Sequence, residues 1–166
     1  MANCYFAQIN PNTNEVTDCF VVGGDVSTDA GPLEDNPMHV DGETYCRKTL
    51  KIADATIFKQ FSKTSEFRYN PAGKGSTWDP VNEAFIDPQP VGDNGDEFSS
   101  WTLDANFKWQ PPTPYPSVLD YTNDGGQQEE YRIRWEEDIQ KWSGGTRGEN
   151  YTTSHWNGDT LAWEVQ

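Results

Sequence analysis

The chain has 166 residues, 34% of them hydrophobic, and its 27 acidic and 12 basic residues give a net charge of −15 and a pI near 4.3. That balance argues against DNA, RNA and anionic membrane surfaces as partners, since all of these need clustered Lys and Arg. It fits a highly soluble exposed protein, or one docking on a basic surface. Gly 14 and Pro 11 argue against a helical bundle or one large core, and 13% aromatic content argues against wholesale disorder.

Taken in order, residues 4–9 and 16–22 read as two strands joined through the turn formers Asn10 to Glu15, and the run ends at Gly23-Gly24. If Ile9 faces Val16, Cys4 faces Val21 and Cys19 faces Phe6. The two thiols then share a face as diagonal neighbours, ~7–8 Å apart, too far for an unstrained disulfide. With Cys46 they form an odd set lacking metal-ligand spacing, and read as small buried hydrophobes. Residues 25–37 form an acidic, proline-bearing surface loop. Asp41 then caps a short helix of two to three turns whose weak apolar stripe is Thr44, Tyr45, Cys46 and Leu50. Strands are expected at 57–61 and 66–69, with 70–75 as a tight connection.

From Trp78 onward one unit recurs: an aromatic, a polar turn, and a second aromatic seven positions on. It joins Trp78 to Phe85, Trp135 to Trp142 and Trp156 to Trp163, with Trp101 to Trp109 one longer; Ile9 to Val16 is its aliphatic form. Periodicity alone fits a helix as well. The intervening Pro, Asn, Asp and Gly are turn formers, so hairpins are expected, with the paired rings facing each other across the strands. The Trp135 unit, with Glu-Glu-Asp-Ile-Gln-Lys inside it, is the one that also makes a fair helix, and its relatives decide for a hairpin.

Residues 88–97 read as an acidic linker, 111–116 as extended polyproline, and 123–126 and 143–148 as spacers. The expected fold is therefore mainly β with one short α-helix. It comprises a compact amino-terminal α+β domain over 1–90 and, over 91–166, an extended arm of aromatic β-hairpins joined by Pro/Gly-rich linkers. An isolated hairpin is marginal in water, so each must lean on a neighbouring unit or on another protein.

Candidate chemistry is sparse. His39 and His155 stand in polar loop contexts, acidic runs such as Glu136-Glu137-Asp138 are expected by chance in so acidic a chain, and 72–75 lacks the strand-turn-helix setting of a phosphate loop. Residues 93–97 offer hard oxygen ligands but match no EF-hand loop. No catalytic residue, cofactor or metal site is assigned, and an enzyme is not expected. The residues singled out as partner contacts are Trp101, Trp109, Tyr115, Trp135, Trp142, Trp156 and Trp163. Exposed, such rings also suit sugar binding; paired across hairpins, they spend the same surfaces on each other. No 18-residue apolar run offers a membrane span, and the start of the chain lacks the layout of a signal peptide.

The order Phe6-Ala7-Gln8-Ile9, Tyr45-Cys46, Arg68-Tyr69-Asn70, Ala72-Gly73-Lys74-Gly75, Trp78-Asp79, Ala84-Phe85-Ile86-Asp87-Pro88, Ser100-Trp101-Thr102-Leu103-Asp104 and Trp109-Gln110-Pro111-Pro112 resembles a family of small virion structural proteins of marine and cyanobacterial tailed phages. The resemblance spans residues 1 to about 142. Residues 91–99 read as an insertion, and the unit after Gly144 as an addition. It implies a virion protein made in the host cytoplasm, a capsid decoration or cement accessory touching the major capsid protein or its own copies. The alternatives are a tail, neck or fibre accessory, or a host-glycan-binding module. It implies no catalytic residues.

Overall fold

The computed structural model describes residues 3–29, 31–33, 40–51, 55–147 and 152–165. His39 and the far end of the 143–148 spacer, Gly148, lie outside them. Among the described residues the chain is mainly β with one short helix, and it divides into two compact units. The first comprises residues 1–88 with 103–108, and the second comprises 89–102 with 109–166.

In the first unit, β1 (Asn3–Ile9) pairs antiparallel with both β2 (Val16–Gly23) and β5 (Ile57–Phe61), giving the order β2-β1-β5. Short β3 (Ser27–Thr28) and β4 (Gly31–Pro32) precede helix α1 (Val40–Leu50), and β6 (Thr77–Asp79) pairs with β7 (Ala84–Ile86). The sheet is covered on both faces. Ala7, Ile9, Val16 and Phe61 pack against Trp78 and Phe85 on one side. Cys4, Phe6 and Phe58 pack against Leu33 and Cys46 on the other. The helix lies close because Gly42 has no side chain: a Cβ there would meet Leu33 Cδ2 and Phe6 Cζ at 2.8 Å.

Ile9 does face Val16, but a register shift between Gln8 and Ile9 moves every earlier pair by one, so Cys4 faces Val22 and Cys19 faces Ala7. A slip of one residue turns a side chain to the opposite face. The thiols therefore serve different clusters, Cys4 with Cys46 under the helix and Cys19 on the Trp78 side, and no disulfide joins any of the three. Burial first, then the nearby Glu43 charge, pushes the Cys46 thiol up to about 12.

The helix runs three turns and begins at Val40, one residue before the start expected at Asp41. The strand expected at 66–69 does not form. Arg68 and Tyr69 take left-handed backbone angles (φ 57° and 62°) that no strand accommodates, and this bend turns the Arg68 guanidinium inward. There its Nη1 donates to Glu43 Oε1 and to Gln60 O, each at 2.6 Å, and its Cζ lies 5.1 Å from the Trp78 ring centre. Glu43 also accepts from Gln60 N and from Lys59 Nζ, at 3.0 and 3.2 Å. Asn70, 4% exposed, donates to Phe85 O and to the carbonyls of Asn106 and Phe107 in the 103–108 tip.

The second unit holds hairpin β10 (Asp120–Thr122) with β11 (Gln128–Glu130), and a four-stranded antiparallel sheet in sequence order: β12 (Arg132–Glu136), β13 (Lys141–Gly145), β14 (Thr153–Asn157) and β15 (Ala162–Val165). Between the units in sequence, β8 (Thr102–Leu103) pairs with β9 (Trp109–Gln110).

The recurring unit is a hairpin in every instance. Trp78 faces Phe85, Trp135 faces Trp142 and Trp156 faces Trp163. In each seven-spaced unit the fifth residue after the first partner has positive φ: Asn14, Glu83, Gln140 and Leu161; Phe107 is its counterpart in the longer Trp101 unit. Where the turn opens with Asn or Asp, that side chain accepts from backbone amides inside it, as Asp79 does from Val81 and Asn82, and Asn157 from Asp159 and Thr160. Residues 123–126, read as a spacer, are another such turn. Gly126 donates to Asn123 O at φ 77°, the arrangement of a type I turn with a left-handed bulge residue.

Candidate functional site

Four of the seven candidate contact residues stand on one face of the four-stranded sheet, and Trp101 and Tyr115 pack against it at Trp142. Strand alternation places Trp135, Trp142, Gly144, Ser154, Trp156 and Trp163 on that face through the pairs Trp135–Trp142, Gly144–Ser154 and Trp156–Trp163. The 143–145 stretch expected as a spacer is strand for this reason. Gly144 leaves room for the Trp163 ring, whose carbons come within 2.8 Å of where a Cβ would sit.

Trp135, Trp142 and Trp156 are 7%, 7% and 1% exposed. These three are therefore core residues of the unit, which corrects the expectation that they offer faces to a partner. Their edges meet at ring-centre distances of 5.1 Å for Trp135–Trp142 and 5.4 Å for Trp156–Trp163. Trp101 is half-buried and lies 6.0 Å from Trp135, 5.9 Å from Trp142 and 5.7 Å from Phe98. Trp163 is half-buried beside Tyr131 at 4.9 Å, and Trp109 is half-buried. Of the seven candidates, Tyr115 is the one that stands open: it is 56% exposed while one side of its ring packs on Trp142 at 4.8 Å.

The segments between hairpins cover this face instead of spacing separate anchors. Thr113 O in the proline run accepts from Trp142 Nε1 at 2.9 Å, and Val118 O accepts from Trp163 Nε1 at 2.8 Å. Residues 98–101 are held by Glu137, whose carboxylate accepts from Ser99 Oγ, from both N and Oγ of Ser100 and from Trp135 Nε1. Burial works against ionisation of Glu137, but the donors from Trp135, Ser100 and Ser99 outweigh it and hold the carboxyl below the usual carboxylate range. Burial, then the neighbouring Tyr121, raises the Tyr131 hydroxyl.

The opposite face is polar. Alternation puts Arg132, Arg134, Glu136, Lys141, His155 and Glu164 there. Arg134 pairs with Glu136 at 3.2 Å, and His155 Nε2 lies 3.9 Å from the same carboxylate. Ser143 stands opposite His155 on the neighbouring strand.

Aliphatic residues that periodicity did not mark stand exposed in this unit: Val118 (43%), Leu119 (45%), Ile139, Leu161 and Val165 (69%). Val118 and Leu119 were findable as adjacent aliphatics just past the proline run. Val118 sits at the Trp163 indole, and Leu119 O accepts from Tyr131 N at 2.8 Å, so the two lie beside the Tyr131–Trp163 ring pair. No His/Cys/Asp/Glu group able to hold a metal is found among the described residues. Comparison of the chain with protein-family models, with curated proteins and with solved structures finds no match.

Proposed function

We propose that the chain is a structural protein of a tailed-phage particle, laid on the assembled capsid as a decoration or cement accessory. The observation that carries this reading is the order of motifs from Phe6 to Pro112, which resembles the virion-protein family of marine tailed phages. Several of those motif residues have definite work in the fold. Arg68 and Asn70 hold the first unit together through buried hydrogen bonds, and Trp78 and Phe85 fill its core.

The contact surface under this reading is the exposed apolar group of the second unit, Tyr115, Val118 and Leu119, together with Val165 on edge strand β15, rather than the tryptophans closed into the core. Side chains this exposed gain burial on docking. Fully burying one is worth about 1.5–3 kcal/mol, and many copies bound together on one shell make weak contacts sufficient.

Quantitative mass spectrometry of purified particles tests the proposal. Copies on the order of hundreds per particle match a capsid lattice, whereas a small multiple fixed by tail symmetry moves the protein to the tail or neck. Absence from the particle refutes the reading.

A further inference from the structure

The first unit leaves part of one sheet edge open. In the order β2-β1-β5, β2 is an edge strand. Its start is closed by the chain itself: Val16 N donates to Ser76 O at 2.7 Å, and Gly75 N donates to Val16 O at 2.9 Å. Further on, Cys19 N donates to the Asp18 carboxylate at 2.8 Å, off the ladder with β1, so alternation turns the main-chain groups of Cys19, Val21 and Gly23 away from β1. Among the described residues, no backbone group meets the N–H or C=O of Val21 on that outer side. The open stretch reads Cys-Phe-Val-Val-Gly and contains no charge or proline of the kind that blunts an edge.

Beside it lies a cleft of about 500 Å³ between β2 and α1. Phe20 and Val22, opposite Phe6 and Cys4, belong to the sheet face that packs under the helix, and with Val26 and Tyr45 they are only partly buried there. Leu50, one turn beyond the buried Cys46, lines the same cleft and is 41% exposed. We infer that an extended segment of another protein adds to β2 at residues 19–23 as a further strand, sets apolar side chains into this cleft at alternate positions, and carries cationic residues at its ends. Main-chain pairing gives such docking its affinity, and the pocket selects the alternate side chains. The cationic ends answer two carboxylates that flank the stretch: Asp18 lines the cleft, and Asp25 Oδ1 lies 2.7 Å from where a Cβ on Gly23 would stand. The exposed Arg47 and Lys48 step past Cys46 onto the outer side of α1. A second copy is disfavoured by the same charges, since pairing β2 with itself brings the Asp18 and Asp25 carboxylates of two chains of net charge −15 together.

The test is a ¹⁵N NMR titration of the full chain with the capped peptide Lys-Val-Thr-Val-Thr-Lys. Paired antiparallel, it sets both valines on the Phe20–Val22 face and the threonine amides at the β2 edge. Expected are shifts at the amides of 18–23 and 44–50, saturating with a Kd of about 1 mM or tighter. The same peptide N-methylated at both threonines keeps its side chains and charge but loses its donors to Cys19 O and Val21 O. It should bind at least about tenfold more weakly, as should the parent peptide to Val21→Pro, a change the strand tolerates because the lost N–H points outward. Replacing the lysines by glutamate should also abolish saturation below about 10 mM. Absence of shifts with the lysine peptide overturns the inference. So does undiminished binding of the N-methylated peptide, which reports charge attraction alone, a preference for the glutamate peptide, or concentration-dependent shifts of the β2 amides in the free chain, which report self-pairing. The inference does not rest on the particle reading, which copy number tests separately.

Discussion

Glu43→Gln is the sharpest perturbation available in the first unit. The Glu43 and Arg68 side chains are 10% and 4% exposed and meet at 2.6 Å, with Gln60 N and Lys59 Nζ as further donors to the same carboxylate. Glutamine keeps the shape but removes the charge, and its amide must turn an N–H₂ towards at least one of these donors. Arg68 then stays buried without its counter-ion, while its Nε already has no partner. Breaking one side of a buried pair costs about 3–5 kcal/mol. That is a large part of the ~5–15 kcal/mol that typically holds a domain together, and corresponds to a loss of at least ~12 °C in melting temperature. Hydrogen exchange read by mass spectrometry separates the two units: peptides from β1 and β5 should lose protection, and peptides from β13 and β14 should not. Replacing both partners with apolar residues, Glu43→Leu with Arg68→Met, should be less harmful than either single change, giving a coupling of about 2 kcal/mol or more. A fall of under about 1 kcal/mol in Glu43→Gln would refute the view that this pair anchors helix α1 to β5 and the 66–70 bend.

Leu161 is 59% exposed at φ 52°, so Leu161→Gly should raise stability by about 0.5–1 kcal/mol in urea unfolding by removing left-handed strain. Gly144→Ala should cost about 1–3 kcal/mol and red-shift tryptophan emission, because the new methyl displaces the Trp163 ring. The lowered carboxyl of Glu137 gives stability that is present above the unfolded value near 4.3 and lost as pH falls through its folded value. The second unit should therefore melt earlier at pH 3 than at pH 6, and Glu137→Gln should narrow that difference.

The hairpins were legible because their signal is local. A ring, an Asn or Asp, a short polar turn and a second ring seven on specify turn and register together, and even the helix-compatible Trp135 unit obeys. What escaped depends on contacts made at a distance or on backbone detail. The irregularity opposite Gln8 and Ile9 adds one ordinary residue, Thr17, to β2, yet it moves Cys19 to the face of Ala7. The left-handed angles at Arg68 and Tyr69 exist because Glu43, 25 residues earlier, receives the guanidinium. Ser143-Gly144-Gly145 has spacer composition, and only the Trp163 ring, brought over it by the next hairpin, explains why it is strand. The same merging of hairpins explains why Trp135, Trp142 and Trp156 are core: each pair covers the next, and the proline run closes over them. The paired rings were visible in the sequence as separate hairpins, whereas their merging into one face, and which residues remain outside it, follows from packing.

Hydroxyl-radical footprinting of the chain, free and bound on purified particles, tests most directly whether the exposed apolar residues are the contact surface. The account predicts that Tyr115, Val118, Leu119 and Val165 label readily in the free protein and become protected on the particle, while Trp135, Trp142 and Trp156 stay unlabelled in both. Equal labelling of those four exposed residues in the two states, or strong labelling of the three tryptophans in the free chain, would contradict it.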